Sequence, residues 1–69
     1  MAVVIYGKDG CPYTQAARDH YADRGSPFTY VNVKKDAAGL EQMLQHSGGK
    51  RRVPVIVDEG KVTVGFGGT

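Results

Sequence analysis

One side chain dominates the chemistry open to this chain. Cys11 is the single cysteine of 69 residues, and it stands between Gly10 and Pro12. Proline suits the first turn of a helix, because its missing N–H would be an orphan there in any case. The sulfur is therefore expected at a helix start, where backbone N–H groups point outward and the macrodipole favours an anion. Lys8 adds a positive charge three residues earlier. Both influences lower a thiol pKa. At a pKa of about 8.5, roughly 3% of a thiol is ionised at pH 7. A fall of two units would raise that share to about three-quarters. The thiolate is the form that attacks a disulfide sulfur. The opposing reading is a buried, inert cysteine behaving as a small hydrophobe. A loop glycine before it and a helix-starting proline after it place the sulfur at an exposed edge instead.

The remaining candidates are weaker. One cysteine cannot close an internal disulfide, and the two histidines with Cys11 show no zinc spacing. His20 and His46 are expected to be partly exposed helix residues. Lys50-Arg51-Arg52 form a compact basic cluster, which is either a solvated loop or an anion site. Lys34-Lys35 reads as a solvated turn. The net charge of +2 is too small to indicate nucleic acid.

The elements that must position Cys11 follow from local pattern. A short β-branched run, Ala2 to Tyr6, reads as a buried strand ended by Gly7. Lys8-Asp9-Gly10 is a loop, and a helix from Pro12 reaches about Arg24, with Gly25 after it. Its apolar face is thin: Ala16, Ala17, Tyr21 and His20. Ser26-Pro27 breaks the chain, and Phe28 to Val33 is a second strand. Asp36 is a good N-cap for a second helix with an apolar face of Ala37, Leu40, Met43 and Leu44, ended by Ser47-Gly48-Gly49. Val53 to Val57 is a third strand, Asp58-Glu59-Gly60 a turn, and Lys61 to Val64 a fourth strand in a hairpin. Gly65 to Thr69 is glycine-dominated and expected to be irregular.

The order is βαβαββ. Its strand–helix–strand steps favour parallel pairing, and the closing hairpin is antiparallel. The expectation is an α/β fold: a mixed four-stranded sheet with both helices packed on it, ending after the last hairpin. Residues 1–69 make one domain, and 41% apolar residues suffice for a modest core without disulfide or metal. The run Val3-Val4-Ile5-Tyr6 is too short for an export signal or a membrane span. An unpaired thiol without export fits a reducing, cytoplasmic setting, with no nucleic-acid or membrane partner.

Cys11-Pro12-Tyr13-Thr14 resembles the active-site motif of glutaredoxins, Cys-Pro-Tyr-Cys, which opens the first helix of that thioredoxin-like family. Lys8 matches the lysine before that motif. Val53-Pro54 resembles the family's Thr-Val-Pro segment, whose proline is cis and faces the active cysteine. Arg51 falls where the family carries a residue that holds the glycine carboxylate of glutathione. Thr14 stands in place of the second cysteine, so the chain resembles monothiol members and the small glutaredoxin-like proteins with selenocysteine at the position of Cys11. The motif is not the Cys-Gly-Phe-Ser of the iron–sulfur carrier class. Gly67 and Gly68 fall where the family has a small residue and an aspartate that holds the γ-glutamyl end of glutathione; backbone N–H groups there can bind a carboxylate instead.

The resemblance implies a thiol–disulfide oxidoreductase that uses glutathione as co-substrate, as a monomer without metal. Cys11 would be catalytic. Lys8, Tyr13, Arg51, Val53, Pro54, Gly67 and Gly68 would bind glutathione, and Thr14 would cap the helix or hydrogen-bond the sulfur, capping being the expected role. The rival readings are a non-catalytic binding module, an iron–sulfur carrier built from Cys11 of two chains, and a redoxin reduced by a protein reductase.

Overall fold

The computed structural model describes residues 3–66. Six elements follow one another: β1 (Val3–Gly7), α1 (Pro12–Asp23), β2 (Thr29–Asn32), α2 (Ala37–Ser47), β3 (Val55–Asp58) and β4 (Lys61–Val64). The strands form one sheet in the order β2-β1-β3-β4.

Period-2 alternation distributes β1 between two layers. Val3 and Ile5 face α1, where they cluster with Ala17 and Ile56, flanked by Tyr21, Phe28 and Tyr30. Tyr6 faces the other way and joins Val55, Val33 and Met43, with Leu40 and Leu44 of α2 packed alongside. One helix thus covers each face of the sheet, the arrangement that buries both helix stripes at once. Ile5 and Val55 are fully buried.

The helices start as expected. Pro12 opens α1 directly after Cys11. Asp36 caps α2, its Oδ1 accepting from the Gly39 N–H at 2.9 Å. Gly48 closes α2 in the left-handed conformation, φ 71°, which costs glycine nothing. The apolar faces differ from expectation in detail. On α1, Ala16 and His20 are exposed and Thr14 is buried in their stead; on α2, Ala37 is exposed while Gly39 and Ser47 are buried. Small residues sit where a helix approaches the sheet closely: a Cβ on Gly39 would collide with the Val31 side chain.

Two strand expectations are corrected. The third strand begins at Val55, not Val53. Pro54 has no N–H to give a ladder, and the Val53–Pro54 bond is cis. The second correction concerns direction. β1 and β2 are parallel, as expected, but β3 does not continue that pattern. It lies antiparallel on the far side of β1, with Tyr6 opposite Val55 and Val3 opposite Asp58. The connection permits this: seven residues, Gly48 to Pro54, separate α2 from β3, enough to span about 23 Å. The chain is therefore free to re-enter the sheet at the end where β1 finishes. The β3–β4 hairpin turns on Glu59 and Gly60, both at positive φ (50° and 87°), the twist that suits a two-residue turn.

Candidate functional site

Cys11 is half-buried and is the N-cap residue of α1, with φ −86° and ψ 117°. The loop before it is short and held at both ends. The Cys11 N–H donates to the Lys8 carbonyl at 3.4 Å, and the Gln15 N–H donates to the Cys11 carbonyl at 3.0 Å. Asp9 is tied to the sheet by the Tyr30 hydroxyl, which donates to its Oδ1 at 2.9 Å. It is also paired with Lys35 at 3.9 Å on the surface. Arg18 lies over the Tyr30 ring, 4.0 Å from its centroid. Burial, first, and then the bond to Asp9 push the Tyr30 phenol up to about 12. It therefore stays a donor at all ordinary pH values.

The Cys11 thiol is held below its ordinary pKa. The largest cause is the Thr14 hydroxyl, assisted by the backbone N–H groups of Thr14 and Tyr13 and by the charge of Lys8, while desolvation opposes them. Thr14 was expected chiefly as a helix cap, and that expectation is corrected: α1 has no side-chain cap. Thr14 is 1% exposed, and its Oγ1 finds no well-formed hydrogen bond among the described residues. The two facts fit together. A neutral thiol is a poor acceptor; a thiolate is a strong one. The hydroxyl is thus a donor that is satisfied when the sulfur ionises. Gly7 makes room for it, since a Cβ there would fall 2.6 Å from Thr14 Oγ1.

The antiparallel register sets Pro54 one step beyond the Tyr6–Val55 pair, at the Gly7 end of β1. Pro54 is fully buried, and its carbonyl accepts from the Gly65 N–H at 2.7 Å. Val53, just before it, is half-buried and makes no backbone hydrogen bond among the described residues. Lys8, Arg51 and Val53 line one groove of about 400 Å³ together with Lys34, Leu40 and Met43. Ser47 Oγ braces the loop that carries Arg51 by donating to the Lys50 carbonyl at 2.7 Å. Tyr13 is 41% exposed on the first turn of α1. Gly67 and Gly68 lie outside the described residues. His20 and His46 are exposed, as expected, and no metal-binding group of three or more His, Cys, Asp or Glu side chains forms among the described residues.

A family model described as Glutaredoxin matches residues 3–63. The chain belongs to the glutaredoxin family. The N-acetyl-S-hydroxy-L-cysteine reductase of Bacillus subtilis (strain 168) is 32% identical over 54 residues, which are 78% of this chain and 57% of that protein. The chain thus spans little more than half the length of that curated relative. The glutaredoxin grx-1 of Archaeoglobus fulgidus superposes with a TM-score of 0.83 at 25% identity, covering 93% of this chain and 74% of that one. The glutaredoxin-like NrdH-redoxin of Escherichia coli, which has a thioredoxin-like activity profile, superposes with a TM-score of 0.82 at 26% identity, covering 96% and 84%. The thioredoxin-like fold and the redox family of thiol oxidoreductases expected from the Cys-Pro-Tyr motif are therefore those of this chain.

Sequence reasoning missed three features of the site. The Asp9–Tyr30 tie joins residues 21 apart, and nothing local in either segment marks it. Lys34 is in an exposed turn, as expected, but that turn borders the groove. The burial of Thr14 had one signal, the glycine at position 7 opposite it.

Proposed function

We propose that the chain is a monothiol oxidoreductase acting on glutathione mixed disulfides. The observation that carries this reading is the lowered pKa of a half-exposed Cys11, set beside a buried hydroxyl and two helix-start N–H groups. The Cys11 thiolate attacks the glutathione sulfur of a mixed disulfide. A Cys11–glutathione disulfide forms, the substrate's own disulfide bond breaks, and the substrate leaves as a thiolate that takes up a proton. A second glutathione thiolate then attacks the adduct, releasing oxidised glutathione and restoring Cys11. Lys8 and Arg51 attract the glycine carboxylate. The free backbone groups of Val53, before Pro54, pair with the tripeptide as an added strand edge. Tyr13 packs beside the glutathione sulfur, and Gly67 and Gly68 supply backbone donors. Glutathione is the co-substrate, the protein works as a monomer, and the setting is cytoplasmic.

The test is direct. After mixing with oxidised glutathione at neutral pH, the intact mass is expected to show one glutathione adduct, absent from Cys11→Ser. No adduct on the native chain overturns the reading.

A second reading is favoured by the likeness to NrdH-redoxin: the same Cys11 chemistry, with the adduct resolved by a protein reductase. Turnover with thioredoxin reductase exceeding that with glutathione would select it. The B. subtilis relative acts on a sulfenic acid, and the same first step fits such a substrate. The thiolate attacks the S–OH sulfur, hydroxide leaves as water, and a mixed disulfide remains.

A further inference from the structure

The groove that Lys8 borders, three residues before Cys11, is broader than one carboxylate needs. Its rim carries three cations, Lys8, Arg51 and Lys34. Each comes from a different connection: the loop after β1, the segment before β3 and the turn after β2. No acidic side chain among the described residues lines it, and none of the three cations has an ion-pair partner there, whereas neighbouring Lys35 is paired with Asp9. Between the cations the floor is apolar: Leu40, Met43 and Val53. A single carboxylate cannot neutralise charges carried by three separated segments, and an apolar floor calls for an apolar side chain between the charges. An extended peptide alternating acidic and apolar residues has that pattern, and Val53 offers an unpaired backbone edge to guide it.

We infer that this groove receives an acidic protein segment flanking the disulfide-bonded cysteine of the substrate, with Lys34 selecting for it beyond the cations that serve a small thiol. This inference rests on the redox role of Cys11 proposed above. Electrostatic matching of this kind chiefly raises association rates and is weakened by salt.

Two synthetic peptides decide it. Each has a central cysteine flanked on both sides by Asp-Leu-Asp or by Asn-Leu-Asn, activated as a disulfide with an absorbing aromatic thiol. Cys11 attacks the peptide sulfur, a Cys11–peptide disulfide forms, and the aromatic thiolate departs and is read by its colour. The acidic peptide is expected to react about three to ten times faster at low salt, since each exposed charge pair contributes only a few-fold. The advantage is expected to shrink towards onefold at about 0.5 M salt. Lys34→Glu is expected to abolish it. Lys61→Glu, the same charge change at the other end of the sheet beside Asp58, is expected to preserve it. Equal rates for the two peptides, or an advantage lost equally in both variants, overturns the inference. If oxidised glutathione forms its adduct while the peptides react alike, the groove serves a small thiol and only this inference falls. If neither the peptides nor oxidised glutathione react, the redox reading falls with it.

Discussion

Thr14 carries a cost that its position next to Cys11 explains. A buried hydroxyl without a partner costs about 1–3 kcal/mol, and replacing it by an apolar group of the same shape removes that cost. Thr14→Val is therefore expected to stabilise the protein by about 1–2 kcal/mol at pH values where Cys11 is a neutral thiol, seen in urea denaturation. The same change removes the largest influence that lowers the Cys11 pKa. Alkylation by iodoacetamide, followed against pH, is expected to have its midpoint below the ordinary thiol value in the native chain and closer to that value in Thr14→Val. The sign for stability follows. A depressed folded-state pKa means that the thiolate favours the fold above the ordinary thiol pKa. That contribution disappears as pH falls through the folded value. A reactive sulfur and a more stable reduced state thus pull Thr14 in opposite directions.

Between elements, the tie from Tyr30 on β2 to Asp9 in the Cys11 loop has a measurable signature. The Tyr30 phenol is raised to about 12 in the folded chain, against about 10 when unfolded. Burial of the neutral phenol favours the fold fully below pH 10, and this contribution is lost as pH climbs from there to 12. Stability measured by denaturation is expected to decline over that window, and Tyr30→Phe is expected to flatten the decline. Tyr30→Phe also removes one hydrogen bond to a carboxylate, a loss of about 1–3 kcal/mol at neutral pH. At the start of α2, Asp36→Ala deletes the cap that accepts from Gly39. It is expected to cost about 1 kcal/mol, which lowers Tm by about 4–8 °C in a domain of this size. Asp36 was legible because a cap acts on residues three positions away. Tyr30 was not, because its partner lies in another segment, brought near by strand pairing alone.

The whole molecule depends on a small core. At about 0.05–0.15 kcal/mol per residue, a chain of 69 residues has roughly 3–10 kcal/mol in total. Ile5 is fully buried in the central strand, and Ile5→Ala is expected to cost about 2–5 kcal/mol. Circular dichroism at 37 °C is expected to show that variant largely unfolded, and a native-like melt would contradict the placement of the core. The global arrangement also builds the site. Had β3 run parallel to β1, as the strand–helix–strand pattern favours, Val53-Pro54 and Arg51 would lie at the Val3 end of the sheet. That is four residues from the Cys11 loop, about 13 Å away. The antiparallel register returns them to the Gly7 end.

The chain's own residues dictated what is local. The proline after Cys11 marks the helix start, Asp36 marks the next one, and the unbroken apolar runs of β1 and β3 mark strands covered on both faces. The short-range chemistry of a sulfur at a helix N-terminus follows from those alone, because N–H groups one turn away point at it. Tertiary structure decided the rest: the direction of β3, the burial of Thr14 over Gly7, the Tyr30–Asp9 tie and the meeting of Lys8, Lys34 and Arg51 around one groove. Each of these joins segments far apart in sequence or depends on how a helix seats on the sheet. Where Arg51 and Val53-Pro54 lie depends on which end of the sheet a loop of seven residues returns to, and loop length permits either end. The antiparallel register of β3 on β1, with Tyr6 opposite Val55, returns them to the end that carries Cys11.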